Sequence, residues 1–313
     1  MFSMVPAIWR LLRFPNLIMV AITQYLILFQ VIHPALLEAG VKPVITPLKF
    51  LEFAAITVAI TASGYVINDI QDIEIDEINR PGANPVPFLN TDRAYWIYGS
   101  LLLGGYLISH LMAFRLGERD ALWMYPLFVG SLAMYSVYLK RKPLMGNLIV
   151  AIYCGAVVGL VVALERTSLR MLASIDYRSF LHVQAVYLFF LIIAIVATMY
   201  REIIKDLQDI EGDRVGMRQT APIIWGIPAA KYIAMGMGGL MIINLVYPLL
   251  TAWPGFYNPA VMSYIAFLVI ILLGIMYQTF KAEDSKDYKL ISRAIKAFLL
   301  GGLALIFLIK VAP

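Results

Sequence analysis

The sequence predicts an all-α integral membrane protein, a bundle of nine transmembrane helices, and three observations lead there. Of its 313 residues, 61% are hydrophobic and only 14% charged, more apolar surface than a soluble core of this length could hide. The apolar residues gather in long runs, each near the roughly 20 residues that cross a hydrocarbon layer of about 30 Å. Those runs lack the alternation of a barrel strand, and backbone in lipid must satisfy its own hydrogen bonds, so the spans are helices.

Arg10 and Arg13 precede the first span, 16–33. No convincing small-residue cleavage site follows it, so it reads as a retained helix and not a removed leader. The second span, 48–67, runs into the acidic stretch NDIQDIEID at 68–76. Spans three and four, 94–114 and 121–139, lead to the basic run Lys140, Arg141, Lys142. The fifth, 146–164, is followed by the sixth, 181–200, which runs into REIIKDLQDIEGD at 201–213, and spans 223–250, 259–280 and 291–310 complete the set. Nine spans put the N-terminus on the same side as the loops after spans 2, 4, 6 and 8, and that side, the adjoining helix ends included, carries 17 of the 25 Lys and Arg residues, against 8 on the other. The positive-inside rule makes that side cytoplasmic and places the C-terminus opposite. Residues 1–313 read as a single domain in the cell membrane.

The three histidines, His33, His110 and His182, are scattered and the lone Cys154 lies in an apolar run, so neither a His/Cys metal site nor a disulfide framework is available. The net charge of +5 is used in orientation, and no basic stripe interleaved with aromatics suggests nucleic acid. Nothing in the chain calls for a protein partner.

The acidic stretch recurs. DIQDIEID at 69–76 matches DLQDIEGD at 206–213, so that Asp69, Asp72 and Asp76 reappear 137 positions later as Asp206, Asp209 and Asp213. Four helices separate the copies, which therefore face the same side of the membrane, with span 2 equivalent to span 6. On a helix, positions i, i+3 and i+7 fall within an arc of about 60°, so each copy is expected to project three carboxylates in one direction. Like charges so placed repel and call for a cation. Oxygen-only ligands select a hard ion, Mg²⁺ or Ca²⁺. Mg²⁺ is typically held by one or two carboxylates plus phosphate oxygens, and EF-hand spacing is missing, so the clusters suit Mg²⁺ carrying a diphosphate. Arg80, Lys140, Arg201, Lys205, Arg214 and Arg218 supply nearby positive charge, whereas Arg141 and Lys142 are read as topology signals. A transporter also carries repeats and ionisable groups, but typically inverted repeats with a site at the bilayer midplane; here the repeat is parallel and the acids lie at helix ends.

These residues resemble the UbiA superfamily of intramembrane prenyltransferases. The resemblance rests on N-D-x-x-D-x-x-x-D (Asn68, Asp69, Asp72, Asp76), then N-R-P (Asn79, Arg80, Pro81), and on the second aspartate motif. It extends to R-x-P-N at Arg13 to Asn16, to Tyr138, Lys140, Gly146 and Asn147 around the fifth span, and to Gly216, Thr220 and Pro222. It implies Mg²⁺-dependent prenyl transfer from a prenyl diphosphate at the cytoplasmic side, with an apolar chamber in the bundle receiving the prenyl tail. Asn68, Asp72, Asp76, Asp206, Asp209 and Asp213 would form the metal shell, with Asp69 in support. Arg80, Lys140, Lys205, Arg201 and Asn16 would serve the diphosphate, and Asp72, Asp209 and Lys140 the catalysis. The run at 201–213 is most similar to the ether-lipid branch, the digeranylgeranylglyceryl phosphate synthases, which implies geranylgeranylglyceryl phosphate, a membrane lipid, as acceptor. An aromatic acceptor of quinone biosynthesis is the alternative. One departure stands out: the family continues N-R-P with R-P-x-P-S-G, and this chain reads GANPVPFLNT at 82–91.

Overall fold

A computed structural model describes residues 4–117, 122–253 and 255–309, and among the described residues all regular structure is helical. The α-helices are α1 (Met4–Leu11), α2 (Phe14–Leu26), α3 (His33–Glu38), α4 (Pro47–Gln71), α5 (Ile73–Asn79), α6 (Val86–Leu89), α7 (Thr91–Leu116) and α8 (Met124–Val137). They continue with α9 (Met145–Leu164), α10 (Arg166–Ile175), α11 (Tyr177–Gln208), α12 (Ile210–Val215), α13 (Ala221–Trp225), α14 (Ile227–Leu250), α15 (Pro259–Lys281) and α16 (Ser285–Leu308). Among the described residues, eight helical segments are long and apolar enough to cross a membrane.

The expected fourth span differs. Its helix, α8, has 14 residues, a rise of about 21 Å at 1.5 Å per residue, and it ends at Tyr138 where a short 3₁₀ turn, Leu139–Arg141, takes over. Residue 121, where that span was expected to begin, and residue 310, the expected end of the ninth, lie outside the described residues. The first span is one continuous helical segment, Phe14–Glu38, loosened to a π-helix at Ile27–Ile32. Pro34 follows at once; proline in a helix clashes with the carbonyl four residues back, and a wider π turn relieves that clash.

Helix ends follow local chemistry. Thr46 caps α4, its hydroxyl accepting from the Lys49 N–H, with Pro47 in the first turn. Asp284 and Asp287 form a capping box on α16.

The chain clusters into two compact units. The first is drawn from Met1–Ile22, Thr46–Lys142 and Glu211–Arg218, the second from Thr23–Ile45, Pro143–Ile210 and Gln219–Pro313. In the first, α4 packs along α7, where Gly105 lets them close: a methyl there would sit 3.1 Å from the Ala59 methyl. Ala7, Leu11, Val66, Ile70, Val86, Leu89 and Ala94 form a buried cluster that seats α1 and α6 on the end of α4. In the second, α11 packs against α9, α14 and α16. Asn244 ties α14 to α11 by donating to the Phe189 carbonyl at 3.1 Å.

Candidate functional site

Each aspartate motif straddles a break in its helix, which corrects the expectation of one continuous carboxylate face. Asp72 closes α4 with φ −104°, ψ 13°, and Asp209 closes α11 with φ −107°, ψ 18°. Both lie toward the bridge region where many active-site residues sit. In both copies the middle aspartate still donates its N–H four residues back, Asp72 to Asn68 at 3.0 Å and Asp209 to Lys205 at 2.9 Å. The repeat seen in sequence is thus repeated in backbone conformation, and each break leaves its third aspartate on the next helix, Asp76 on α5 and Asp213 on α12.

In the first unit the motif residues find separate partners. Asp69, 4% exposed, accepts from Arg13 at 2.6 Å, and the guanidinium lies 4.8 Å from the Tyr65 ring centre. Arg13 reaches there from a left-handed turn, φ 50°, between α1 and α2. Burial opposes its charge, but Asp69 and Tyr65 outweigh burial and raise its pKa. Asn16 donates to the Tyr65 hydroxyl at 3.4 Å. Asp76 accepts from Asn84 Nδ2 at 2.9 Å; the same amide nitrogen donates to the Asp69 carbonyl at 2.8 Å, and Asn84 Oδ1 accepts from Val86 N–H at 3.0 Å. Burial and the neighbouring Asp72 raise the Asp76 pKa, while Asn84 and the charge of Arg80 counter them. Arg80 continues from Asp76 by a backbone bond of 2.8 Å.

A dense cluster of charge lies at Asp72. One carboxylate oxygen takes Lys140 Nζ at 2.9 Å and also the guanidinium of Arg218, which reaches on to Asp213 at 3.1 Å. A residue of the first motif and one of the second are therefore joined through a single arginine. Burial lowers the Lys140 pKa, opposed by Asp72.

α5 and α12 meet through a complementary pair of positions. Asn79 Oδ1 accepts from the Gly212 N–H at 2.8 Å, and a methyl on Gly212 would lie 2.7 Å from that oxygen. A methyl on Gly216 would similarly meet Ile75 Cγ1 at 3.0 Å. In the 137-residue repeat, Ile75 corresponds to Gly212 and Asn79 to Gly216: one copy supplies side chains where the other supplies space.

In the second unit Asp206 accepts from Asn147 Nδ2 at 2.8 Å. Lys205 and Arg201, expected at the diphosphate, both reach Glu202, at 2.6 and 3.2 Å. Asn68 is half-buried at the end of α4. Tyr200 is fully buried and hydrogen-bonded to Thr279 at 2.7 Å, while Trp123 is 79% exposed.

Among the described residues no three His, Cys, Asp or Glu side chains converge as a ready-made metal group. Mg²⁺ does not need that, since it takes one or two carboxylates and keeps water or substrate oxygens for the rest. The donor set here, all oxygen, with Asp72 and Asp213 already bridged by a guanidinium, suits such an ion. Sequence reasoning missed Asn84, the Arg13–Asp69 pair and the Asn79–Gly212 bond. Asn84 stands in the GANPVP departure from the family pattern and brings an amide there; the glycines are visible as mismatches within the repeat.

The sequence profile of the UbiA prenyltransferase family matches residues 28–301. A digeranylgeranylglyceryl phosphate synthase of Methanoculleus marisnigri is 30% identical over 76% of each chain. Among solved structures, one of a digeranylgeranylglyceryl phosphate synthase shares 22% identity, covers 98% of each chain and superposes with a TM-score of 0.64. A UbiA homologue from Archaeoglobus fulgidus, solved with GPP and Mg²⁺ bound, shares 16% identity, covers 96% of this chain and 99% of its own, and gives a TM-score of 0.53; at such identities the likeness is one of fold. Family profile and curated relative agree with the doubled aspartate motif and its interleaved bases: this chain is a member of the UbiA prenyltransferase family.

Proposed function

We propose that this prenyltransferase moves a geranylgeranyl group from its diphosphate to the free hydroxyl of geranylgeranylglyceryl phosphate, with Mg²⁺ as cofactor. The observation that carries the chemistry is the cluster at Asp72, where Lys140, Arg218 and Asp213 place bases and carboxylates in alternation. The acceptor is carried by the likeness to the Methanoculleus marisnigri synthase. The Archaeoglobus fulgidus homologue, with GPP and Mg²⁺, supports the donor and the metal.

Breaking an allylic C–O bond leaves negative charge on the diphosphate. Mg²⁺, when bound, acts there as a Lewis acid. Asn68, Asp72, Asp76, Asp206, Asp209 and Asp213 are the residues that hold the metal, directly or through water, with Asp69 in support. Lys140, Arg80, Lys205, Arg201 and Asn16 serve the diphosphate; preorganised cations aimed at developing charge are a large source of rate enhancement. An apolar chamber keeps water from the allylic centre. The 313 residues act as one domain of nine spans, α8 being the short one, with the site and the N-terminus cytoplasmic and the C-terminus opposite; the distribution of Lys and Arg supports this.

The test offers the purified protein labelled geranylgeranyl diphosphate and Mg²⁺ with geranylgeranylglyceryl phosphate, 4-hydroxybenzoate or a dihydroxynaphthoate in parallel. The ether lipid is the expected product, and an aromatic product alone would overturn the assignment. Asp72→Ala and Asp209→Ala are each expected to abolish transfer in a folded protein; near-normal turnover in either would remove the two-motif site.

A further inference from the structure

Asp72 and Asp213 are deeply buried, with side chains 8% and 4% exposed, as are the bases that hold them, Lys140 at 8% and Arg218 at 15%. An ionised carboxylate out of water is costly unless it is paired. Two carboxylates and two bases make this cluster neutral by itself, so a divalent cation arriving at Asp72 and Asp213 meets one Oδ1 already held by Lys140 and Arg218 and another held by Arg218. Arg218 is built to leave. Its backbone is pinned, its N–H donating to the Asp213 carbonyl at 2.9 Å just past the left-handed turn at Met217, φ 53°. Only its long side chain has to rotate.

We propose that Arg218 is the site's resident counter-cation: it neutralises Asp72 and Asp213 until a divalent ion binds, is displaced by that ion, and then donates to the prenyl diphosphate that follows. This rests on the reading above that Asp72 and Asp213 take Mg²⁺. The exchange orders the reaction. Metal releases the guanidinium, and the released guanidinium completes the anion site, so diphosphate binds well only after the metal. Arginine suits the role because its planar fork bridges two carboxylates in one state and takes two phosphate oxygens in the other.

A merely structural arginine and an exchanging one predict opposite changes in metal affinity. A neighbouring arginine shifts a carboxylate's affinity for a competing proton by about 1–3 pKa units. Arg218→Gln should therefore bind Mn²⁺, used as the Mg²⁺ surrogate and read by the EPR signal of the free ion without prenyl diphosphate, about tenfold more tightly than wild type. The same variant should raise KM for geranylgeranyl diphosphate by about tenfold or more, the loss of one charge-assisted hydrogen bond, while Arg218→Lys stays within about threefold of wild type in both. Unchanged or weaker Mn²⁺ binding in Arg218→Gln would overturn the exchange. Asp72→Asn separates the two failures: if it leaves wild-type Mn²⁺ affinity unaltered, the metal reading itself falls, and the exchange with it. A second measurement needs no variant. In the wild-type protein Mg²⁺ alone should speed phenylglyoxal modification of Arg218, read by mass spectrometry, and added inorganic diphosphate should then protect it; a modification rate indifferent to Mg²⁺ would overturn the proposal.

Discussion

Replacing Gly212 by alanine tests whether the seat between α5 and α12 is as close as the structure has it. Gly212 does not have a left-handed φ, so its backbone accepts alanine, which in a helix is favoured over glycine by up to about 1 kcal/mol. Against that, the added methyl would lie 2.6 Å from Asn79 Cγ and 2.7 Å from its Oδ1. Asn79 must withdraw, which sacrifices its bond to the Gly212 N–H, worth about 1 kcal/mol, and overpacking costs about 1–3 kcal/mol more. The clash wins, for a net loss of about 1–3 kcal/mol. The sharper readout is a double-mutant cycle with Asn79→Ala, followed by equilibrium unfolding in mixed SDS–detergent micelles. Asn79→Ala alone loses the hydrogen bond but empties the space. In that background Gly212→Ala should be neutral or slightly stabilising, so the pair should couple by about 2–3 kcal/mol. Additivity within about 0.5 kcal/mol would refute the close seat.

Two further outcomes follow from single side chains. Asn84→Ala takes from Asp76 a hydrogen bond to a charged group, worth about 1.5–3 kcal/mol, so half-saturation by Mg²⁺ should rise at least several-fold; superimposable Mg²⁺ titrations of activity would show that Asn84 does not position Asp76. Glu165, fully buried at the end of α9, accepts from His33 at 3.1 Å and from the Val44 and Ile45 N–H groups at 3.0 and 2.8 Å. Burial pushes its pKa up, but these bonds and one from Ser168 outweigh burial and hold it below the ordinary value. A carboxylate whose folded pKa is depressed gives stability that is present above its unfolded pKa, about 4.3, and lost as pH falls through the folded value. Thermal stability should therefore hold from neutral pH down to about 4.5 and then fall, and Glu165→Gln should flatten that acid limb while lowering stability at neutral pH; an unchanged acid limb in the variant would sever the link.

How far the sequence could be read depended on the kind of signal. Spans were legible because hydrocarbon thickness imposes a minimum apolar length, and where α8 fell short the shortfall lay at its ends, which caps and turns decide and hydropathy does not register. The aspartates were legible because charge in an apolar chain is rare and theirs recurs at a fixed offset. Their partners were harder. Arg13 meets Asp69 across 56 residues and Arg218 meets Asp72 across 146, and no local spacing announces a pair that tertiary packing makes. Asn84 was hidden differently, as a departure from a family pattern, and a departure does not say whether a function is lost or supplied by another side chain.

The repeat's mismatches carry as much physical information as its matches. Two copies of a motif can keep the same aspartates, because a metal with a diphosphate needs oxygen ligands from several directions. They cannot both keep bulky side chains where α5 and α12 meet. Ile75 and Asn79 in one copy answer Gly216 and Gly212 in the other, an exchange of filled and empty positions that lets Asp213 come within reach of the same arginine as Asp72. Restoring the repeat's symmetry, by giving the second copy isoleucine and asparagine at 212 and 216, would fill the space on both sides and drive the helices apart. The difference between the copies at these two positions is thus what leaves room for Asp72 and Asp213 to share one arginine.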